Sequence, residues 1–296
     1  MPDAGGEYFR RPALDTMKKF LLCMGFLSVL FMGLAGCFQE ESTDPSWNNV
    51  RERGSLIVGV SEGNLPLTFR NSSKKVVGFD VEAGTEVCRR LNLTVQLLAI
   101  DPSEVTKNLD EGTIDCYWSG LPASSRETED PYATTPPYLH NDDVFLLPLD
   151  SPIRNIANLT NKRLGVMSGS SGEEALRQAS QLHASLNLVV NYETIEEAFT
   201  ALNSGAVDGM VMGETIARYF MNLNPDRYRI LEGEGEEKKS QEPLNTQECV
   251  VAFRLTDTAL RRKIEAALQS MHKDGKMAEI SERWFGSNIS IDSVQE

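Results

Sequence analysis

One seven-residue pattern occurs twice in this chain and constrains its fold more than any other feature. Residues 109–115 read LDEGTID and residues 202–208 read LNSGAVD, so both match L-x-x-G-x-[IV]-D. In each copy a helix is expected to end at the glycine, which adopts a left-handed backbone without steric penalty, and a buried strand follows. Asp115 and Asp208 are then structural residues at strand starts. Two copies, each after its own strand-rich stretch, predict two similar α/β lobes that face each other.

Apolar segments around the two copies support this prediction. Residues 55–60 (SLIVGV) form a short apolar run, and residues 93–100 form a second strand-like segment. The segment between them has helical periodicity. Strand, helix, strand is the order of a parallel α/β sheet, whose strands are buried on both faces. Ahead of the second copy, Thr194 and Glu197 have the spacing of a helix capping box.

The N-terminus has the features of an export signal. Lys18 and Lys19 precede an uncharged run over 20–36 that ends at Cys37. The tetrapeptide LAGC at its end resembles the bacterial lipobox, in which the cysteine is acylated and becomes the mature N-terminus. The predicted segments are an upstream extension (1–16), a lipoprotein signal peptide (17–36) and a polar tether (37–50). A single membrane-spanning segment is the alternative, since 17 apolar residues approach the lower limit for a span.

The charge balance argues against nucleic-acid binding. The chain has 29 Lys plus Arg and 43 Asp plus Glu, so its net charge is −14 and it repels phosphate backbones. Its cysteines and histidines lack metal-ligand spacing, so no metal and no cofactor are expected. Cys88, Cys116 and Cys249 lie in apolar segments, which favours buried free thiols and leaves one disulfide as an alternative.

Several phrases in order carry a family resemblance over roughly residues 52–286. They are GSLIVGV (54–60), VGFDVE (77–82), the first repeat with WSG (118–120), Arg126, PY (137–138), LGV with SGSS (164–171), and WFG (284–286). In this order, behind a lipobox, they resemble bacterial extracellular solute-binding proteins of family 3, the amino-acid-type receptors of ABC importers.

The resemblance implies an α/β protein of the two-lobed periplasmic-binding-protein type II fold, with a ligand cleft between the lobes. Lobe 1 would comprise residues 51–147 plus 248–286, lobe 2 residues 148–247, and residues 287–296 a tail. Hinge closure around the ligand would present both lobes to a permease. The implied protein is a monomer in the cell envelope, exported and held at the membrane by lipid on Cys37.

Two groups would grip a ligand carboxylate from opposite lobes. Arg126 matches the family's carboxylate clamp, and a guanidinium can hold a carboxylate through two parallel hydrogen bonds. In lobe 2, Gly169, Ser170 and Ser171 form the turn before a helix, whose free N–H groups attract anions. The simpler interpretation of that turn is a helix cap, with Ser171 as the capping residue.

The resemblance adds further ligand-binding positions. In lobe 1 they are Asn64, Trp118, Ser119, Gly120 and Ser124. Trp118 and Tyr138 are the nearest aromatic candidates for the cleft, and each is also a candidate for the core.

One departure from the family bears on specificity. Where the family usually places an aspartate that pairs with the ligand's α-ammonium, this chain has Gly213. Glu214 beside it could replace that aspartate, although a shift of one residue redirects a side chain on a strand. Pro122 in the turn before Arg126 has no N–H to offer, where the family usually has ligand-binding threonines.

The implied function is capture of a small carboxylate-bearing solute, an amino acid or related organic acid, and its delivery to an ABC permease and its ATPase. A sensory or structural lipoprotein without transport is an open alternative. An enzyme such as a small-acid dehydratase is less favoured, because its acid/base candidates, Glu62 and Glu214, have no evident sequence partner.

Overall fold

The computed structural model describes residues 44–124, 130–231 and 243–292. Residues 44–296 group into one compact unit. The predicted extension, the signal peptide, Cys37 and most of the predicted tether lie outside the described residues.

The strands fall into three sheets. In chain order they are β1 (Ser55–Val60), β2 (Gly63–Asn64), β3 (Thr68–Arg70), β4 (Val76–Val77), β5 (Thr94–Ala99), β6 (Cys116–Pro122), β7 (Ala133–Thr134), β8 (Leu139–His140), β9 (Asp143–Pro148), β10 (Arg163–Met167), β11 (Leu188–Tyr192), β12 (Gly209–Gly213), β13 (Tyr228–Ile230) and β14 (Glu248–Phe253).

Helices alternate with these strands. The α-helices are α1 (Ser46–Arg53), α2 (Phe79–Arg90), α3 (Val105–Asp110), α4 (Ser171–Gln178), α5 (Ser180–Ser185), α6 (Ile195–Ser204), α7 (Glu214–Leu223), α8 (Thr258–Lys273) and α9 (Lys276–Phe285).

The two large sheets are built on one plan. The first has the order β5-β1-β6-β14-β7, with β8 also paired to β14, and the second has the order β11-β10-β12-β9-β13. In the first sheet β1 is parallel to its two neighbours, β5 and β6, and in the second sheet β10 is parallel to its two neighbours, β11 and β12. An antiparallel strand then follows, β14 in the first sheet and β9 in the second. This confirms the two-lobed α/β fold.

The chain passes between the lobes in two adjacent segments. Residues 141–143 lead from β8 to β9, and residues 245–247 lead back to β14. The two segments are hydrogen-bonded to each other, from Asn141 N to Gln247 O (2.8 Å) and from Asp143 N to Asn245 O (2.9 Å). We refer to this pair of segments as the crossing.

The crossing corrects the predicted lobe boundary. The sequence placed residues 51–147 in lobe 1, but β9 begins at Asp143 and pairs with β12 and β13 of the second sheet. The boundary therefore lies about five residues earlier, because the apolar run of β9 completes the lobe 2 sheet instead of extending β8.

The repeated aspartate makes the same contacts in both lobes. Asp115 donates its N–H to Ile57 O (2.8 Å) and accepts the Ile57 N–H on its carboxylate (2.7 Å). Asp208 does the same with Arg163, at 2.8 Å in both directions. An arginine also pairs with each carboxylate, Arg53 in lobe 1 and Arg163 in lobe 2. The structural role predicted for both aspartates is confirmed.

Both ends of the described chain are more structured than the sequence suggested. The tether was predicted to run to residue 50, but α1 begins at Ser46, and its side-chain Oγ accepts the N–H of Leu260 at the start of α8 (3.0 Å). At the other end, part of the predicted tail lies alongside β8, and Ile291 N donates a hydrogen bond to Tyr138 O (3.0 Å). The polar composition of both segments gave no sign of this structure in the sequence. Capping and strand-like hydrogen bonds hold them, and neither produces an apolar periodicity.

The buried thiols fit the sequence prediction. Cys88, Cys116 and Cys249 are free and buried. Burial raises the pKa of the Cys88 thiol to about 12. These thiols therefore act as small apolar residues of the lobe 1 core.

Substitution of the repeated aspartate is expected to destabilise lobe 1. Asp115→Ala leaves the Ile57 N–H without its acceptor and removes the carboxylate that pairs with Arg53, so the free energy of unfolding should fall by about 2–3 kcal/mol. Urea denaturation followed by circular dichroism measures the change. Asp110→Ala, an exposed aspartate at the end of α3, is the matched control and should change stability by less than about 0.5 kcal/mol. Equal effects of the two substitutions would contradict a structural role for Asp115.

Candidate functional site

The predicted lobe 1 residues lie together where β1 and β6 end. The Asn64 side-chain amide donates to Ser119 O (2.8 Å), and the Ser119 hydroxyl accepts from Ser61 N (3.0 Å) and contacts the Thr68 hydroxyl. Gly120 has φ +61°, and a side chain there would collide with Leu67 and Asn64. Asn64, Ser119 and Gly120 are therefore brought together, but their polar groups support the loops around them.

Trp118 belongs to the core, which corrects its assignment as a ligand-binding residue. Its side chain is 1% exposed and lies edge-on to Tyr138, with ring centroids 5.7 Å apart. Alternation along β6 explains the result, because Trp118 points from the strand into the packed face under α2. Tyr138 is equally buried.

A buried carboxylate fixes the lobe 1 loop. Asp80 is 2% exposed at the start of α2, and it accepts the Gly120 N–H (2.7 Å) and the Tyr138 hydroxyl (2.8 Å). Burial raises the pKa of Asp80 to about 7, although these hydrogen bonds act in the opposite direction. Asp80 therefore positions Gly120 and does not face the ligand.

Two predicted residues bracket a segment that the structure does not describe. Ser124 is half-buried and lies two residues after the end of β6. Arg126 lies within residues 125–129, outside the described residues. Pro122 ends β6, and the next residue, Ala123, donates its N–H to Glu248 O (2.7 Å). Ala123 therefore lies beside the start of β14, next to the return segment of the crossing.

The predicted lobe 2 turn lies next to the crossing. Ser170 caps α4 by accepting the Glu173 N–H (3.2 Å), so the expectation that Ser171 is the cap is wrong by one residue. The Ser171 hydroxyl instead donates to Asp143 (2.8 Å). Gly169, at φ +71°, makes the turn that places Ser170 at the helix start. Within the described residues, the N–H groups of Ser171 and Gly172 have no hydrogen-bond partner.

Asp143 joins this turn to the crossing. It is fully buried, and it accepts from Ser171 and from the Asn245 amide (3.3 Å). Burial raises the pKa of Asp143, while these two hydrogen bonds lower it. The start of α4 is therefore attached to the segment about which the lobes would rotate.

Gly213 and Glu214 also lie next to the crossing. Gly213 ends β12 and Glu214 opens α7. Glu214 is 7% exposed and pairs with Arg218 (2.5 Å), which also donates to Ser287 Oγ of lobe 1 (3.1 Å). The carboxylate predicted to replace the missing aspartate is thus already engaged in an ion pair.

Asn141 is a residue that the sequence analysis missed. Its Oδ1 accepts from Thr215 through both the backbone N–H (3.2 Å) and the hydroxyl (2.7 Å). A side chain at Gly213 would lie 2.8 Å from that same oxygen. The available signal was the polar triplet NDD (141–143) between two strand segments, a position where a chain crosses between lobes.

Two searches of the described residues give limited findings. No group of three or more His, Cys, Asp or Glu side chains there has the arrangement of a metal site. None of the helices described is both long enough and apolar enough to cross a membrane.

The model of bacterial extracellular solute-binding proteins, family 3, matches residues 56–287. The chain belongs to this family. The match covers both sheets and both segments of the crossing, so the resemblance found in the sequence is confirmed.

Individual relatives agree with this assignment. The L-cystine-binding protein TcyJ of Escherichia coli K12 is 26% identical over 245 residues, which are 82% of this chain and 87% of that protein. The structure of Tv2483 bound to L-arginine is 31% identical with a TM-score of 0.63, covering 86% of this chain and 99% of that one. A polar amino acid ABC uptake transporter substrate-binding protein from Streptococcus thermophilus is 25% identical with a TM-score of 0.71, covering 86% and 95%.

The high pKa of Asp80 predicts a stability loss with rising pH. The folded state keeps the proton up to about pH 7, whereas the unfolded chain releases it near pH 4, so the free energy of unfolding should fall between these values. Asp80→Asn retains an acceptor for Gly120 and donates to Tyr138, and it removes the titration. Denaturation curves at several pH values should slope for the wild type and be flatter for the variant over this range. Identical slopes would show that Asp80 ionises normally.

Proposed function

We propose that this chain is the lipid-anchored, solute-binding component of an ABC importer, and that its ligand is a small molecule with a carboxylate. The observation that supports this most directly is the start of α4. Two N–H groups, on Ser171 and Gly172, lie beside the crossing and have no hydrogen-bond partner among the residues that the structure describes, and a helix N-terminus favours a bound anion.

The proposed grip uses both lobes. Arg126 of lobe 1 binds the carboxylate through its guanidinium, and the α4 turn of lobe 2 binds it through backbone N–H groups. Because one anion then contacts both lobes, it binds the closed arrangement more tightly than the open one. Ligand binding thereby closes the protein, and closure gives the permease a signal that the site is occupied.

The ion pairs of the structure favour binding over catalysis. Glu62 pairs with Arg70 and Glu214 pairs with Arg218, so both acid/base candidates are held by arginines. A dehydratase would need one of them to exchange protons with a bound acid. The relatives described above are binding proteins or transport receptors by name.

Lipidation of Cys37 would leave a short tether. The described fold begins at Asp44, seven positions after the cysteine that would be lipidated, with six residues between them. A fully extended chain of that length spans at most about 25 Å. The α1 side of lobe 1 would therefore remain close to the membrane that carries the permease.

The ligand class can be tested by thermal unfolding of the soluble chain 38–296 with amino acids, keto acids, dicarboxylates and short peptides. A ligand at 100 times its dissociation constant stabilises by about 2.7 kcal/mol, which raises the melting temperature by several degrees. A shift with carboxylate-bearing compounds supports the proposal. Because every compound in this set carries a carboxylate, the absence of a shift with all of them would contradict the proposal.

Arg126→Ala is expected to abolish binding of the compound found in that screen. Loss of a charge-assisted bidentate contact should weaken affinity by about 100-fold or more. Isothermal titration calorimetry measures the affinity, and the melting temperature without ligand should be nearly unchanged. Arg89→Ala, which removes an exposed arginine paired with Glu86 on α2, is the matched control. Normal binding by the Arg126 variant would place the cleft elsewhere.

Cys37→Ala should release the exported protein from membranes. The lipid would be attached to this thiol, so its loss should move the protein from the membrane pellet to the soluble envelope fraction. Cys88→Ala, which changes a cysteine of the lobe 1 core, is the control and should remain in the pellet. Retention of both variants at the membrane would favour a spanning segment.

A further inference from the structure

The geometry points to Asn141 as a ligand-binding residue that selects against an α-ammonium group. We infer that its amide nitrogen donates a hydrogen bond into the cleft. The ligand class is then a carboxylic acid with an oxygen acceptor, a carbonyl or hydroxyl, in the position where an amino acid carries its ammonium. This inference rests on the proposed function, because it places the ligand in the same cleft.

The first step is the position of the Asn141 side chain. Its amide lies against Gly213 at the end of β12, where an added Cβ would be 2.8 Å from Oδ1 and 3.3 Å from Nδ2. The absence of a side chain at residue 213 thus leaves room for the amide. Asn141 itself belongs to the crossing, and the neighbouring Asp143 holds the α4 turn.

The second step is the orientation of the amide. A backbone N–H can donate only to the oxygen, so the Thr215 N–H fixes which end of the amide is Oδ1. The Thr215 hydroxyl contacts the same oxygen. Nδ2 is therefore the end left to bind something else, and it has no hydrogen-bond partner among the residues the structure describes.

The third step is the state of the carboxylates nearby, since an ammonium would need one of them. Asp142 accepts the Gln247 N–H (3.0 Å), and Asp143 accepts from Ser171 and Asn245. Glu214 pairs with Arg218. Asp143 and Glu214 are thus held by side chains of the protein, and Asp142 by one backbone N–H on one of its two oxygens.

Two further groups complete the electrostatic surroundings. His140 and Glu248 lie on the paired strands β8 and β14 next to the crossing, with their side chains 4.0 Å apart.

A donor facing an ammonium cannot form a hydrogen bond, because both groups carry only N–H. Binding an amino acid would leave the Asn141 amide and the ammonium unpaired in a closed cleft, whereas a carbonyl or hydroxyl oxygen would satisfy the amide. Sites that pair a polar ligand group in this way reject analogues lacking it, and we expect a preference of at least about tenfold.

The test compares matched compounds on the soluble chain 38–296. Isothermal titration calorimetry at pH 8 would use glutamate, 2-oxoglutarate and 2-hydroxyglutarate; aspartate, oxaloacetate and malate; and alanine, pyruvate and lactate. In any series that binds, the oxo or hydroxy acid should bind at least about tenfold more tightly than the amino acid. A preference for the amino acid would overturn the inference and leave the proposed function standing.

Asn141→Asp provides the decisive variant. It keeps an oxygen for Thr215 and replaces the donor Nδ2 with a carboxylate oxygen of nearly the same shape. The preference should reverse, with the amino acid gaining and the oxo acid losing about tenfold in affinity. An unchanged preference would show that Asn141 does not contact the ligand.

Asn203→Asp is the matched control. It adds the same charge in lobe 2, and the Asn203 side-chain oxygen likewise accepts a hydroxyl, that of Tyr228 (2.7 Å). Its binding preferences should equal those of the wild type. A wild-type chain that binds no compound of any series would contradict the proposed carboxylate ligand, and the role of Asn141 would fall with it.

Discussion

The crossing between the lobes is the constraint on which the rest of the structure depends. Two hydrogen-bonded segments connect the sheets, and Asp143 in the first of them is fully buried. A buried carboxylate is stable only with donors around it, and here they come from Asn245 in the return segment and Ser171 at the start of α4. One side chain thereby joins the hinge to the proposed anion site, so movement at the crossing and contact with a ligand are mechanically linked.

For a rotation at the crossing to move each lobe as one body, each lobe must be rigid internally. The repeated aspartate supplies this rigidity, because Asp115 and Asp208 each tie the start of one strand to the backbone of the central strand beside it. Neighbouring arginines compensate both charges. With each sheet fixed in this way, a rotation about the crossing would change the contacts that α7 makes with lobe 1, such as those of Arg218 with Ser287 and of Asn222 with Arg283.

The sequence predicted those parts of the protein that depend on local pattern. The repeat, the apolar strands and the capping box at Thr194 all follow from spacing along the chain, and the structure has each of them. It did not predict features that depend on distant partners. Ser46 belongs to the fold because it caps α8, and Asn141 matters because Thr215 and Gly213 lie beside it. Burial of Trp118 likewise required knowledge of which face of β6 meets α2.

The acidic composition of the chain is compatible with an anionic ligand, because acids near the crossing have partners within the protein. Two acids near the crossing have partners within the protein: Glu214 pairs with Arg218, and Asp143 accepts hydrogen bonds from Ser171 and Asn245. The proposed site offers donors to a ligand, the α4 N–H groups and the Asn141 amide, while the Glu173 carboxylate at the same turn accepts the Gly169 N–H (2.7 Å). Long-range repulsion from a net charge of −14 is screened within about 8–10 Å at physiological salt, whereas these donors act at contact distance. In the proposed site, local geometry would therefore decide the charge of the ligand, and the net charge of the protein would affect only its approach.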